Sequence, residues 1–291
     1  MPPVRNTLAA TTLALAALFT SGCERAIFGF ANRGLPAPEA TVAFAPELGL
    51  SLDIYRPPGS VARRVPTVLF FYGGGWQRGQ REQYRFVGRR LAQQGVLAIV
   101  ADYRTFPRAG FPAFVDDAAL AVAWTREHAA RYGGDPKQLF IAGHSAGAQI
   151  AALLGTDPRY LARHAMRPDH LAGIIGLAGP YDFVINGQYT KVFGPPAQWP
   201  QAQAVNFVDG DEPPFLLIHG DGDRVVEVRD SVELDAKLRA AGGEARLVIL
   251  PGGGHSAPLA GLYDPTRSPT VLPAIMAFVG GQPVAVVTAA P

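Results

Sequence analysis

The sequence predicts an α/β fold built on an open, mostly parallel sheet, and three observations carry that reading. Long apolar runs such as Thr67–Tyr72 (TVLFFY) and Leu97–Asp102 (LAIVAD) have the character of strands covered on both faces. These runs alternate with segments of helical spacing, the pattern of βαβ units. Gly (33) and Pro (26) are abundant, as expected where many tight turns join short elements.

Taken in order, Thr41–Ala45 and Leu50–Arg56 read as strands, the second with the alternating Leu, Leu, Ile of a half-buried one. Between the two apolar runs, Tyr84–Gln94 reads as a helix. Phe114–Tyr132 is a second helix, with Val115, Ala118, Ala119, Val122 and Ala123 on its apolar side, ended by Gly133-Gly134-Asp135-Pro136. Strands follow at Leu139–Ala142, Gly173–Leu177, Phe215–His219 and Arg246–Leu250; helices at Ala146–Leu154, Arg229–Ala241 and Pro269–Val279. The stretch 179–214 is the one long irregular segment, and loops of that length are usually functional. One catalytic domain over 41–280 accounts for these elements, with a loose tail at 281–291.

Composition removes several classes of function. Hydrophobic residues make up 48% and charged residues 17% of the 291, a globular balance. The net charge is +2, and no basic run exceeds a pair (Arg63-Arg64, Arg89-Arg90), so nucleic acid is not an expected partner. A single cysteine excludes an intrachain disulfide and any multi-cysteine metal site.

The N-terminus carries Arg5, an apolar stretch from Leu8 to Phe19, and Thr20-Ser21-Gly22-Cys23. That is the layout of an export signal over 1–22, too short to span a bilayer. Small residues before the lone Cys23 match a bacterial lipobox, which makes Cys23 the lipidation site and predicts an exported protein lipid-anchored in the cell envelope. Thr20 stands where Leu is usual. Glu24 after Cys23 favours the outer membrane; the alternative is an ordinary signal peptide and a soluble periplasmic or secreted protein. Residues 23–40 then read as a tether.

The chemistry is concentrated in short motifs. Gly143-His144-Ser145-Ala146-Gly147 falls between a predicted strand and a predicted helix, the setting in which G-x-S-x-G exposes a nucleophile on a sharp turn. Glycines two positions either side of Ser145 relieve clashes at that turn, and the Ala146 N–H opens the helix, where it can donate to an oxyanion. Tyr72-Gly73-Gly74-Gly75-Trp76 directly follows a strand, and its glycine N–H groups can approach a substrate carbonyl. The serine requires a base, and the base an orienting acid. Of six histidines, His255 in a Gly-rich loop after the last long strand is the base selected by elimination and chain order. His144 is expected to point away from the chemistry, and His219 to be structural. The acid lies in His219-Gly-Asp221-Gly-Asp223, where Asp223 is preferred because Gly220 and Gly222 first close the turn; Asp221 is the alternative.

Together, GGGW, Asp102-Tyr103-Arg104, Gly133-Gly134-Asp135-Pro136, GHSAG, HGDGD and GGGH resemble an α/β-hydrolase of the esterase/lipase group. The chain is similar to bacterial carboxylesterases related to prenylcysteine methylesterases and kynurenine formamidases, over about 45–280. The resemblance implies a mostly parallel sheet flanked by helices with a small lid or none. It implies a Ser145, Asp223, His255 triad and oxyanion N–H groups from Gly74, Gly75 and Ala146, with no cofactor and no metal. Tyr72 departs from the His that many lipases and formamidases carry before the glycines. The expected activity is serine carboxylesterase hydrolysis of small or short-chain esters; the alternatives are an arylformamidase-type amide hydrolase and a non-catalytic envelope binding protein. Trp76, Tyr103 and Tyr181, with Phe106 and Phe183, are candidate walls of the substrate pocket.

Overall fold

The structure, a computed structural model, describes residues 26–59 and 63–284. Residues 26–31 form a helix, α1. The sheet strands are β1 (Ala40–Ala45), β2 (Leu50–Tyr55), β3 (Val65–Phe71), β4 (Leu97–Ala101), β5 (Gly134–His144), β6 (Gly173–Leu177), β7 (Phe215–Gly220) and β8 (Ala245–Leu250). Their spatial order is β1-β2-β4-β3-β5-β6-β7-β8. β1 pairs antiparallel with β2, and β2 with β4; from β4 to β8 every pairing is parallel. The two apolar runs read as two-faced strands are buried, β3 from Thr67 to Phe71 and β4 throughout, as are β6 and β7.

The flanking helices are α2 (Arg85–Gln93), α3 (Ala113–His128), α4 (Ala146–Thr156), α5 (Pro158–Ala162), α6 (Tyr189–Phe193), α7 (Val228–Ala240), α8 (Ala257–Tyr263) and α9 (Val271–Val279). All eleven residues of α4 are buried, so this helix is packed on every side, and its small residues let β5 and β3 come close. The chain steps from β3 to β4 on one side and returns to β5 on the other. That reversal opens a crevice beyond the C-terminal ends of the central strands, where open α/β sheets bind ligands.

Three segments differ from the sequence expectation. The tether read over 23–40 is, from residue 26, packed against the body. Phe28 lies 5.0 Å from the Tyr84 ring and 6.4 Å from that of Phe86. The Asn32 side chain donates to the Glu82 and Gln83 carbonyls and accepts the Phe86 N–H. The tail read as loose from 281 begins tied down: the Gln282 N–H donates to the Ala277 carbonyl, and Val284 is buried. Segment 179–214 is a compact cap, holding α6 and two 3-10 turns, Pro196–Ala202 and Ala204–Phe207. Cys23 and the export signal lie outside the described residues.

Candidate active site

Every group assigned to the chemistry stands at the C-terminal end of a strand. Ser145 follows β5 directly at φ 54°, ψ −120°, a conformation rare for a residue with a side chain. Its neighbours show why only glycine fits around it. A Cβ at Gly143 would meet the Gly147 carbonyl oxygen at 2.2 Å, and one at Gly147 would meet the Phe71 carbonyl oxygen at 2.1 Å. The turn is forced between β3 and β5, and it pushes the hydroxyl outward.

The hydroxyl meets the base. Ser145 Oγ lies 2.9 Å from His255 Nε2, and His255 Nδ1 lies 2.7 Å from Asp223 Oδ2. With Asp223 ionised, the proton on Nδ1 faces the carboxylate, leaving Nε2 to accept from the serine. Of the two carboxylates weighed from the sequence, Asp223 and not Asp221 is the one in contact with His255. Asp221 is exposed and instead accepts the Gly252 N–H, tying the turn after β7 to the turn after β8.

Asp223 is held from four directions. The Val225 and Val226 N–H groups donate to Oδ1 at 2.8 and 3.1 Å, and His219 Nε2 lies 3.1 Å from Oδ2. Burial alone would raise its pKa, but these donors, His219 and His255 foremost, hold it well below the usual carboxylate range. His219 is fully buried, and its Nδ1 accepts from Ser231 Oγ at 2.7 Å, which places its proton on Nε2, facing Asp223 and the Val226 carbonyl. The residue expected to be structural is thus a second imidazole on the Asp223 carboxylate. The chain Ser145, His255, Asp223, His219, Ser231 is continuous. Replacing His219 with Leu is expected to lower kcat/KM about ten- to a hundred-fold, the weight of one hydrogen bond to a charge. His219→Gln, whose amide can donate from a similar position, should recover most of that loss; equal losses in both variants would show that packing, not donation, is the contribution.

His144, expected to point elsewhere, reaches across to the base loop: its Nε2 donates to the His255 carbonyl at 3.0 Å, and the two rings lie 4.9 Å apart. Burial, reinforced by His255, pushes its pKa down to about 3, so it stays neutral and fixes the loop without adding charge.

The Gly73-Gly74-Gly75 loop, expected to supply oxyanion donors, follows β3. Gly74 and Gly75 have positive φ (136° and 60°), as does Trp76 (57°). The Gly74 carbonyl accepts from Gln77 and Arg78, while no acceptor among the described residues takes the N–H of Gly74, Gly75 or Ala146. Tyr72 exchanges bonds with Tyr103: the Tyr103 hydroxyl donates to the Tyr72 carbonyl at 2.8 Å, and the Tyr72 hydroxyl donates to the Tyr103 carbonyl at 3.3 Å. The Gly73 N–H donates to the Tyr84 hydroxyl. The loop is pinned to the cap through Gln149 of α4. Its Oε1 accepts the Trp76 indole N–H at 3.1 Å and its Nε2 donates to the Ala202 carbonyl at 2.8 Å.

A cavity of about 530 Å³ opens over Ser145 and His255. Of the five pocket residues read from sequence, Trp76 and Phe183 line it, stacked with ring centroids 5.3 Å apart. Phe106, Tyr103 and Tyr181 do not. Tyr103 is buried against Tyr72, 4.6 Å between ring centroids, and Tyr181 is buried against Gly176 and Gly179. The walls that sequence reasoning missed are Ile27 and Phe28 of α1, Tyr189, Val225 and Val226, and Leu259 of α8.

The sequence profile of the BD-FAE family matches residues 52–238, more than half of the chain. The chain belongs to the BD-FAE family. The BD-FAE match runs from β2 into α7 and includes the Gly73-Gly74-Gly75 loop, Ser145 and Asp223, while His255 lies beyond it. Esterase LipQ of Mycobacterium tuberculosis (strain ATCC 25618 / H37Rv) is 31% identical over 252 residues, covering 79% of this chain and 58% of that protein. The isoprenylcysteine alpha-carbonyl methylesterase ICME of Arabidopsis thaliana is 28% identical over 239 residues, 74% of this chain and 55% of that one. The chain thus spans a little over half the length of these curated relatives. Among solved structures, Thermogutta terrifontis esterase 2 phosphoramylated by tabun aligns with TM-score 0.67 at 27% identity, covering 77% of this BD-FAE chain and 87% of the other. The fold is that of the α/β-hydrolases.

Proposed function

We propose that the protein is a serine carboxylesterase that hydrolyses small or short-chain esters through an acyl-enzyme. The hydrogen-bonded line from Ser145 through His255 to Asp223 carries this reading, and the esterase names of the relatives support it. Ser145 Oγ attacks the ester carbonyl while His255 Nε2 takes its proton. Asp223 stabilises the imidazolium, and the N–H groups of Gly74, Gly75 and Ala146 receive the developing oxyanion. The imidazolium then protonates the departing alkoxide. Water, activated by the same base, attacks the acyl-enzyme and releases the acid and free Ser145. The positively tilted N-terminus of α4 adds to the oxyanion field.

The short-chain preference rests on the cap. Trp76, Phe183, Tyr189 and Phe193 pack ring on ring over one end of the groove, with centroids 4.8–5.5 Å from that of Trp76. Rigid rings packed this way leave little room to admit a long acyl chain beside Trp76. Hydrolysis of p-nitrophenyl esters from acetate to palmitate is expected to peak at the short end; faster turnover of palmitate than butyrate would refute the preference. Export and lipid attachment at Cys23 complete the proposal, on the strength of the apolar stretch and small residues that precede it. Mass spectrometry of the purified protein reads that modification directly.

A further inference from the structure

Five large apolar side chains are conspicuously exposed among the described residues, and three of them line the one cavity over Ser145. Ile27 is 65%, Val184 74% and Val225 72% exposed. They come from three separate places: α1, the cap, and the loop that carries Asp223. Exposed aliphatic groups scattered singly need no explanation, but their convergence on a cavity mouth marks a binding surface. A fourth, Phe30, stands on α1 beside Ile27. Charged groups at the same mouth are Arg78, Asp182, Glu227 and Arg229.

The position of α1 identifies the occupant. Ala26 is three residues after Cys23, so a lipid-bearing Cys23 lies no farther than about 11 Å from the helix start. The helix nearest the lipid attachment is itself one lip of the groove. We propose that the mouth of the groove seats on a lipid bilayer through Ile27, Val184 and Val225, and that the ester enters from the membrane. The substrate class is then a short acyl group on a membrane-resident alcohol. Its acyl part fits against Trp76 and Phe183, while the apolar remainder stays in the lipid beyond the exposed lip. This deepens the esterase and anchor readings above and rests on both.

The full chain, acylated and reconstituted in phosphatidylcholine vesicles, tests it. Cys23 is the only cysteine, so once it is acylated Val225→Cys supplies a unique thiol for an environment-sensitive dye. Lys137→Cys, exposed near the start of β5 and so at the opposite end of that strand from Ser145, is the comparison. A lipid-borne spin label should quench the dye at 225 several-fold more than at 137; equal quenching overturns the proposal. If mass spectrometry finds no acyl chains, the anchor reading fails. The same variants carrying Cys23→Ser are then mixed with vesicles: a blue shift at 225 alone supports the seat, and no shift at either position overturns it. For transport of substrate, Ile27→Ser, Val184→Ser and Val225→Ser are combined. Hydrolysis of hexadecyl acetate in vesicles should fall about ten-fold relative to p-nitrophenyl acetate, the weight of roughly one buried aliphatic side chain. An unchanged ratio overturns it. If wild type hydrolyses neither ester, the esterase reading fails, and the dye experiment still decides the seat.

Discussion

Ser145→Ala is expected to lower kcat about a million-fold, because no other nucleophile occupies the position that β5 and α4 create. The substitution keeps the Cβ, so it places the same demand on the φ 54° backbone as serine does, and the fold should persist. Residual activity on the order of a thousand-fold over water would come from the oxyanion N–H groups and substrate binding. Stopped-flow or endpoint assay with p-nitrophenyl acetate, beside a thermal melt of both proteins, separates the outcomes. Comparable activity in the two proteins would remove Ser145 from the mechanism.

Asp223→Asn is the second large effect, about ten thousand-fold in kcat. Here the geometry makes the isostere worse than a simple loss of charge. All four neighbours of the carboxylate are donors: two imidazoles on Oδ2 and two backbone N–H groups on Oδ1. An amide has one NH2, and either way it turns, that NH2 opposes a donor. If it faces Oδ1's partners, the loop at Val225 and Val226 is pushed off. If it faces the imidazoles, His255 must take the other tautomer and cannot accept from Ser145. The expected result is loss of both turnover and melting temperature, whereas Asp221→Asn should leave kcat within a few-fold. Full activity in Asp223→Asn would contradict the triad.

The fold, and the residues that the structure brings into the line Ser145, His255, Asp223, were legible because each rests on local signals. Two-faced apolar strands and G-x-S-x-G between a strand and a helix leave little freedom, and chain order singles out His255. The pocket walls were not, for a reason visible at Tyr181 and Phe183. Both follow β6 and are two residues apart, yet Tyr181 turns inward and Phe183 outward. What decides is Gly176 and Gly179: a Cβ on either would strike the Tyr181 hydroxyl, at 2.0 and 2.5 Å, so these glycines make the room the ring fills. Glycines in a strand and in the turn after it were readable, but not which aromatic they serve. The same holds for α1. Ile27, Phe28 and Phe30 are apolar signals in a stretch too short and too rich in Gly and Pro to announce a helix, and only the docked partners Tyr84 and Phe86 give them a structure.

Sharing one oxygen between two imidazoles makes His219 a spectator that cannot be silent. In the proposed cycle His255 gains and then loses a positive charge, and because it shares Asp223 Oδ2 with His219, each change alters the field at the His219 bond. Ser231 stands at the far end of the same line, its side chain buried and outside the cavity lining. A nuclear spin on His219 would therefore report each half of the catalytic cycle from behind the acid, in a place that substrate and solvent do not touch.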